Sequence, residues 1–155
     1  MKIVIGSDHA GCKHKEYLSR TVSSLGHSLS DAGVCEGKSA DYPDIAEKVA
    51  GAVAAGDAEL GILLCGSGIG ASMAANKVRG IRAALCWDKE TARLAREHND
   101  ANILCMGARL LSMDVCEEIA KVFLSQPYSG QERHNRRIKK IRDIEERNCT
   151  VGRKQ

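Results

Sequence analysis

A chain of 155 residues is long enough for one domain with a sizeable core. Its hydrophobic content of 43% and charged content of 28% are those of an ordinary globular protein, and an aromatic content of 3% offers few rings for stacking on nucleic-acid bases. The net charge of +3 is too small to require a polyanionic partner, and no run of about 18 apolar residues predicts a membrane span. We therefore expect neither a nucleic-acid partner nor a membrane partner.

Segments typical of strands and helices alternate along the chain. Strands are predicted at Lys2–Gly6, His27–Asp31, Leu60–Cys65, Arg82–Trp87 and Ile103–Met106. Helices are predicted at Lys13–Leu25, from Asp44 to Gly56, at Ile69–Val78, from Asp88 to about His98, from Ser112 through Phe123, and at Arg133–Arg147. The spacing of Asp44 and Glu47 indicates a capping box at the start of the second helix.

This alternation is typical of βαβ units that build a parallel sheet covered on both faces. The fold class predicted is α/β, a Rossmann-like three-layer sandwich with a five-stranded parallel sheet. One domain is expected over residues 1–148, followed by a flexible tail at 149–155.

The seven cysteines occur singly, without a Cys-x-x-Cys pair, so the spacing typical of zinc sites is absent. Met1 leads directly into a strand-like segment, which leaves no room for a signal peptide. We therefore expect a cytoplasmic protein whose thiols are reduced and are mostly small core residues.

The segment Leu60–Gly70 joins a buried strand to a glycine-rich turn. Its apolar residues lead to Cys65, after which three glycines alternate with Ser67 and Ile69. Alternating glycines leave backbone N–H groups free to converge on an anion. Because ligands of open α/β sheets bind at the carboxyl ends of the strands, an ionisable thiol beside this turn indicates a catalytic site.

Other polar side chains are predicted near the same edge of the sheet. They are Asp8, His9, His98, Asn99, Asp100 and Arg109. We expect these segments to converge on one pocket. A structural role is the alternative for two of them, because Asp8 could cap the next helix and His98 could interact with the dipole of its own helix.

The last predicted helix carries isoleucines at every third position within Ile138–Ile144, which predicts a stripe that docks on the core or on a partner subunit. Arg133, His134 and Arg137 lie at its N-terminal end, where positive charge opposes the helix dipole. An anionic ligand would offset that opposition, and guanidinium groups bind phosphate well.

The glycine turn partly fits two other chemistries. A phosphatase loop needs an arginine six positions after its cysteine, where this chain has Ala71. Residues 66–71 fit the dinucleotide pattern G-x-G-x-x-A, but the turn follows the third predicted strand instead of the first. A nucleotide-binding or sugar-phosphate-binding module without catalysis therefore stays a minor alternative.

Taken in order, eight strings resemble the type B ribose-5-phosphate isomerases, a family shared with the galactose-6-phosphate isomerase subunits of the lactose pathway. The strings are GSDHAG (6–11), DYPD (41–44), CGSGIG (65–70), AANK (74–77), GIRAA (80–84), REHNDAN (96–102), GAR (107–109), and RH followed by Arg137. The resemblance covers about residues 1–148 and implies interconversion of ribose 5-phosphate and ribulose 5-phosphate through an enediolate. It implies no metal and no organic cofactor, and a place in the non-oxidative pentose phosphate pathway.

The resemblance also implies roles for individual residues. Cys65 would be the general base that moves a proton between C2 and C1, and His98 would open the furanose ring with Asp8 nearby. The turn from Gly66 to Gly70 would bind the enediolate oxygen, with help from the hydroxyl of Ser67. The substrate-binding residues would be His9, Gly66, Gly68, Ile69, Gly70, Asn99, Arg109, Arg133, His134 and Arg137.

Departures from the family pattern are small. Some members carry a glutamate base just after the glycine turn, where this chain has Ala71, so the chain falls in the cysteine branch. Ser67 replaces a threonine found in other members, and Glu132 looks like one extra residue before Arg133. The resemblance further implies a homodimer, or a dimer of dimers, with the pocket between subunits. A six-carbon substrate, galactose 6-phosphate or allose 6-phosphate, is the alternative within the same chemistry.

Overall fold

The computed structural model describes residues 1–34 and 39–151. The strands are β1 (Lys2–Ser7), β2 (Ser28–Asp31), β3 (Leu60–Cys65), β4 (Ala83–Leu85) and β5 (Ile103–Gly107). The helices are α1 (Cys12–Ser24), α2 (Tyr42–Ala55), α3 (Ile69–Ala75), α4 (Lys89–Asn99), α5 (Met113–Ser125) and α6 (Glu132–Val151). Residues 152–155 of the predicted tail lie outside the described ranges, and the flexibility of the tail stays a prediction.

All strand pairs are parallel, and their order in the sheet is β2-β1-β3-β5-β4. The chain runs outward from β1 to β2 and then returns to β3 on the other side of β1. This reversal creates a switch point between the carboxyl ends of β1 and β3, where open α/β sheets bind ligands. Because β5 lies beside β3, Cys65 is paired in register with Gly107.

Both faces of the sheet are covered by helices, so its central strands are apolar on both sides. On one face, residues such as Ile5 and Leu64 pack with buried residues of α1, α4 and α5. On the other face, Leu63 packs with buried residues of α2 and α3. The predicted three-layer sandwich with five parallel strands is thereby confirmed.

The last helix, α6, leaves much of its isoleucine stripe uncovered. Ile141 and Ile144 are 48% and 51% exposed. The stripe therefore does not dock fully on the core of its own chain. No helix within the described ranges combines the length and the apolar character needed to cross a membrane.

Local patterns predicted some helix starts correctly and one incorrectly. Asp88 forms a capping box with Thr91 at the start of α4, as its position before that helix suggested. The capping box predicted at Asp44 is wrong, because α2 begins at Tyr42 with Asp41 as its N-cap and Asp44 in its first turn. Pro43, also in that first turn, has a backbone angle suited to a helix start.

Candidate active site

A pocket of about 370 Å³ opens at the carboxyl edge of the sheet. Its lining residues are Asp8, His9, Ala10, Tyr42, Cys65, Gly66, Ser67, Gly70, Arg109 and Leu110. The segments that follow β1, β3 and β5 therefore converge, as the sequence predicted. A thiol, a carboxylate, an imidazole and a guanidinium face one small volume. Within residues 1–34 and 39–151, no three His, Cys, Asp or Glu side chains are grouped to hold a metal ion.

Cys65 is the last residue of β3 and lies at the wall of this pocket. It is only 3% exposed, and the N–H of Gly68 donates a hydrogen bond of 3.1 Å to its sulfur. This bond holds the sulfur against the glycine turn. The Cys65 thiol is thus fixed in position and meets the pocket through a small opening.

Three other thiols, those of Cys86, Cys105 and Cys116, are not arranged in this way. Burial raises the pKa of Cys86 and of Cys116 to about 11, and it raises the pKa of Cys105 well above its ordinary value. These thiols are protonated at neutral pH and therefore poor nucleophiles and bases. They serve as small core residues, as the sequence suggested.

The glycine turn after β3 has a conformation that side chains would disrupt. Gly68 has a φ of +79°, and a Cβ there would lie 2.5 Å from Leu85 Cδ1 and 2.9 Å from the carbonyl carbon of Met106. At Gly70, a Cβ would lie 2.5 Å from the ring of Tyr42. The turn therefore packs closely against β5 on one side and against α2 on the other.

The same turn has free hydrogen-bond donors. Among the described residues, the backbone N–H groups of Ser67 and Gly70 have no acceptor, whereas that of Ile69 donates to Ser67 Oγ at 3.3 Å. Unpaired N–H groups are expected where a turn leads into a helix. Ser67 and Gly70 both line the pocket, so their donors are available to a negatively charged oxygen there.

Asp8 shapes the loop between β1 and α1. Its Oδ1 accepts hydrogen bonds from the N–H groups of Ala10, at 2.9 Å, and Gly11, at 3.3 Å. Gly11, not Asp8, is the N-cap of α1. The helix-capping alternative for Asp8 is therefore wrong, although its carboxylate does organise the loop and leaves Oδ2 for other partners. His9, beside it, is exposed at the pocket.

Arg109 supplies positive charge to the pocket. Its Nη1 lies 3.5 Å from the point that a Cβ on Gly66 would occupy. Within the part of the chain that the structure describes, its guanidinium has no hydrogen-bond or ion-pair partner, unlike that of Arg93, which pairs with Glu90. An exposed and unpaired guanidinium at a pocket is suited to binding an anion.

Seven predicted site residues are absent from the pocket lining. Two belong to the glycine turn itself, where Gly68 is buried and Ile69 points outward. The other five, which lie on α4 and α6, are His98, Asn99, Arg133, His134 and Arg137. Asn99 instead lines a separate groove with Ile141. Within one chain, the expected convergence therefore does not include His98, Asn99 or Asp100. The role of the α6 residues, which follows from the resemblance and its pocket between subunits, stays a prediction.

Two of these residues contact each other. The ring centroids of His98 and His134 are 4.2 Å apart. His134 is 1% exposed, and its Nδ1 lies 2.8 Å from Ser129 Oγ, whereas His98 is about one-third exposed. The rings form a second polar cluster, which we call the histidine cluster and which comprises His98, Ser129 and His134.

Burial and nearby positive charge keep the inner member of the histidine cluster, His134, neutral. Burial lowers the pKa of His134, and positive charge on His98, Arg133 and Arg137 lowers that pKa further. Glu97 opposes this effect in part. His134 is therefore an uncharged ring at neutral pH, packed behind the more exposed His98.

The sequence analysis did not identify Tyr42 as a pocket residue. The structure places its ring against Gly70 at the pocket. That contact depends on how α2 packs beside α3, and no local pattern in the sequence encodes it. The presence of Tyr42 within the DYPD string was the only available signal.

The chain is similar to known sugar-phosphate isomerases along almost its whole length. A model of the family described as Ribose/Galactose Isomerase matches residues 3–141. The chain is 46% identical to the putative sugar phosphate isomerase YwlF of Bacillus subtilis, over 96% of this chain and 99% of that protein. It is 40% identical to galactose-6-phosphate isomerase subunit LacB of Clostridium acetobutylicum, over 93% of this chain and 83% of the subunit. The solved structure of ribose-5-phosphate isomerase B from Clostridium thermocellum has a TM-score of 0.93 and 44% identity, over 96% of this chain and 99% of that one.

Proposed function

We propose that this chain, which belongs to the ribose/galactose isomerase family and is an isomerase, interconverts D-ribose 5-phosphate and D-ribulose 5-phosphate through an enediolate. The observation that carries the proposal is the pocket in which the Cys65 thiol, the donors of the glycine turn and the unpaired Arg109 guanidinium lie together. The name of the solved relative, ribose-5-phosphate isomerase B, supports the choice of a pentose substrate. Because the chain is an isomerase, a binding module without catalysis is no longer a candidate.

The central step is a proton transfer between two carbons. The Cys65 thiolate removes the proton from C2 of the open-chain aldose, and the electron pair moves toward the C1 carbonyl oxygen to give the enediolate. Return of the proton from sulfur to C1 leaves the ketone at C2, while the hydroxyl proton of C2 is transferred to the oxygen of C1. No electron donor or acceptor is needed.

The glycine turn supplies the stabilisation that this step requires. Negative charge develops on the C1 oxygen, and the free N–H groups of Ser67 and Gly70 are fixed donors beside the sulfur. Loss of one such donor costs roughly a hundredfold or more in rate in other enzymes that stabilise an oxyanion.

A separate step must first open the sugar ring. Ribose 5-phosphate is mainly a furanose, so a group must take the proton of the anomeric hydroxyl and another proton must reach the ring oxygen. Histidine suits this work because it titrates near neutrality. We assign the step to His98, which is the exposed member of the histidine cluster.

His98 does not line the pocket of its own chain, so we propose that a second copy of the chain supplies it. The site would then combine Cys65 of one subunit with His98 of the partner subunit. In a symmetric dimer this arrangement occurs twice, because the interface is isologous. A dimer of such dimers would preserve the same sites.

Exposed apolar surface supports this assembly. Ile69, Met73, Trp87 and Leu110 are exposed, and a groove of about 260 Å³ among residues of this region shares Ser67 and Leu110 with the site pocket. The half-exposed isoleucines of α6 form a second apolar surface. Exposed apolar patches mark interaction sites, and we propose that a second copy covers these surfaces with the N-terminal end of its α6 at the pocket.

The phosphate group would then be held by arginines of both subunits. Arg109 lies at the pocket of its own chain, and we assign the remaining contacts to the partner's Arg133 and the partner's Arg137, with Asn99 of the partner subunit on the sugar oxygens. Bidentate guanidinium contacts suit a phosphate group.

The chemistry proposed needs a base, an acid and donors for an oxyanion, and the chain's own side chains and backbone supply all three. We therefore propose that the enzyme works without a metal or an organic cofactor, in the cytoplasm, within the non-oxidative pentose phosphate pathway. The experiment is ribulose 5-phosphate formation from ribose 5-phosphate before and after treatment with a chelator. Full activity after chelation is expected, and loss of activity that added divalent metal restores would contradict the metal-free mechanism.

A six-carbon substrate is the second candidate, because the chain is similar to a galactose-6-phosphate isomerase subunit. Turnover should therefore be compared on ribose 5-phosphate, galactose 6-phosphate and allose 6-phosphate under the same conditions. The proposal predicts the highest kcat/KM for ribose 5-phosphate. A higher value for either six-carbon sugar would identify that sugar as the substrate class instead.

A further inference from the structure

Asp100, just after α4, has an unusual backbone conformation. With a φ of +43°, it is the only non-glycine residue with positive φ among those described. Its N–H donates to the carbonyl of Arg96, and the N–H of Ala101 donates to that of Ala95, both at 3.0 Å. This pattern commonly ends a helix at a glycine, which adopts the left-handed conformation without the steric penalty of a side chain.

The carboxylate of Asp100 lies between two guanidinium groups. Arg96 Nη1 is 2.8 Å from Oδ1, and Arg82 Nη2 is 2.9 Å from Oδ2. The same arginines donate to the carbonyls at the end of the helix: Arg82 to Asn99 at 3.0 Å and to Asp100 at 2.6 Å, and Arg96 to Ala101 at 2.7 Å. We call these three side chains, Arg82, Asp100 and Arg96, the carboxylate clamp.

The clamp is anchored in well-packed parts of the molecule. The guanidinium of Arg96 lies over the ring of Phe123, which is fully buried in the core. The backbone of Arg82 is held by Asn102, whose Oδ1 accepts the N–H of Arg82 at 2.8 Å and whose Nδ2 donates to Gly80 at 2.9 Å. Strained conformations persist where their surroundings over-determine them, and they concentrate at functional sites.

We propose that Asp100 is a positioning residue for the ring-opening step. Together with Arg82 and Arg96 it fixes the last turn of α4, so that the imidazole of His98 is presented in one orientation. A glycine would allow the same helix end but would leave the turn without the carboxylate that joins the two arginines. The inference rests on the proposed function for the role of His98.

A matched pair of variants separates the effect of the left-handed backbone at Asp100 from the effect of its carboxylate, which binds the two arginines. Asp100→Gly keeps the left-handed turn accessible and removes the carboxylate, and Asp100→Asn keeps a side chain that tolerates this conformation and can accept one of the two arginine bonds. Both proteins are compared with the wild type by thermal unfolding, by kcat from ribose 5-phosphate, and by solvent deuterium exchange at C1 of ribulose 5-phosphate. The ketose cannot close a furanose ring, since its C5 oxygen carries the phosphate, so its exchange does not need ring opening.

For Asp100→Gly we expect kcat from ribose 5-phosphate to fall about 10-fold to 100-fold, because small misplacements of catalytic groups have effects of this size. The exchange at C1 should change less than about twofold, and Asp100→Asn should give a smaller loss of the same kind. If Asp100→Gly is unfolded at the assay temperature, Asp100→Asn tests the inference by its kcat from ribose 5-phosphate and its exchange at C1 of ribulose 5-phosphate. Wild-type kcat in the folded variants, or a parallel loss of both reactions, would overturn the inference.

A spectroscopic measurement keeps this inference separate from the proposed function. The imidazole resonances of His98, assigned with a His98→Gln variant, report its environment whether or not the protein acts on ribose 5-phosphate. We expect Asp100→Gly to move them toward those of a freely exposed histidine. Resonances unchanged from the wild type would overturn the positioning role, whereas a wild type inactive on ribose 5-phosphate would overturn only the proposed function.

Discussion

The pocket around Cys65 and the histidine cluster are built in different ways. The pocket sits on three adjacent parallel strands, and the strand ladder fixes its sulfur and its glycine turn. The histidine cluster sits where the end of α4 meets the start of α6, and packing and ion pairs hold it. In the proposed mechanism, the sheet supplies rigid groups for the carbon chemistry, while the helices supply an acid–base group to the site of another subunit.

We propose one step for each region, namely proton transfer between C1 and C2 at the pocket and ring opening at the histidine cluster. The two steps can be measured separately, since exchange at C1 of ribulose 5-phosphate needs only the first and turnover of ribose 5-phosphate needs both.

Removal of the thiol is expected to have the largest effect. Cys65→Ala should lower both C1 exchange and turnover of ribose 5-phosphate by about a thousandfold, in line with the loss of a general base. Cys116→Ala is the matched control, because that thiol is equally buried but lies on α5 in the core. The control should lose some thermal stability and keep its rates, and unchanged exchange in Cys65→Ala would refute the assigned base.

Removal of the His98 imidazole should lower turnover of ribose 5-phosphate much more than it lowers exchange at C1 of ribulose 5-phosphate. His98→Gln is expected to lower turnover of ribose 5-phosphate about a hundredfold and to leave C1 exchange within about threefold of the wild type. His27→Gln, at a half-buried histidine just before β2, is the control and should change neither. Equal losses of both reactions in His98→Gln would place His98 in the carbon chemistry and would remove the division between the regions.

Sequence and structure agree most where the determinants are local. The apolar run into Cys65, the glycine turn after it and the Asp88 cap all follow from residues within a few positions of one another. Strand order does not, because the insertion of β5 between β3 and β4 depends on packing across the whole sheet. The contact of Tyr42 with Gly70, and that of His134 with His98, likewise join helices far apart in the chain. Local sequence patterns therefore predicted which strand ends and which turn form the pocket, whereas the packing between distant helices could not be read from them.

Phosphate binding across the two regions can be tested at Arg137. Arg137→Ala should raise KM for ribose 5-phosphate about 10-fold to 100-fold with little change in kcat, because a hydrogen bond to a charged group is worth roughly 1.5–3 kcal/mol. Arg142→Ala, an exposed arginine on the same helix, should leave KM as it is. If both variants raised KM alike, the effect would come from the general charge of α6 and not from a specific contact.

The smallest expected effect is on how the free energy of unfolding depends on pH. The pKa of His134 is lowered in the folded protein, so the unfolded chain takes up this proton first as the pH falls below about 6.5. The free energy of unfolding should therefore decrease as the pH falls from about 6.5, and His134→Gln should reduce this slope. Chemical denaturation at several pH values measures it. A steeper slope in the variant would contradict the assignment of a neutral, buried His134.

The division of the site between subunits is tested most directly by joining two inactive variants in one dimer. Cys65→Ala and His98→Gln subunits, co-expressed with different tags and purified as the mixed dimer, would contain one site with both residues intact and one site with neither. We predict that the mixed dimer turns over ribose 5-phosphate at about half the wild-type rate per dimer, although each parent is nearly inactive. A mixed dimer as inactive as its parents would contradict the shared site.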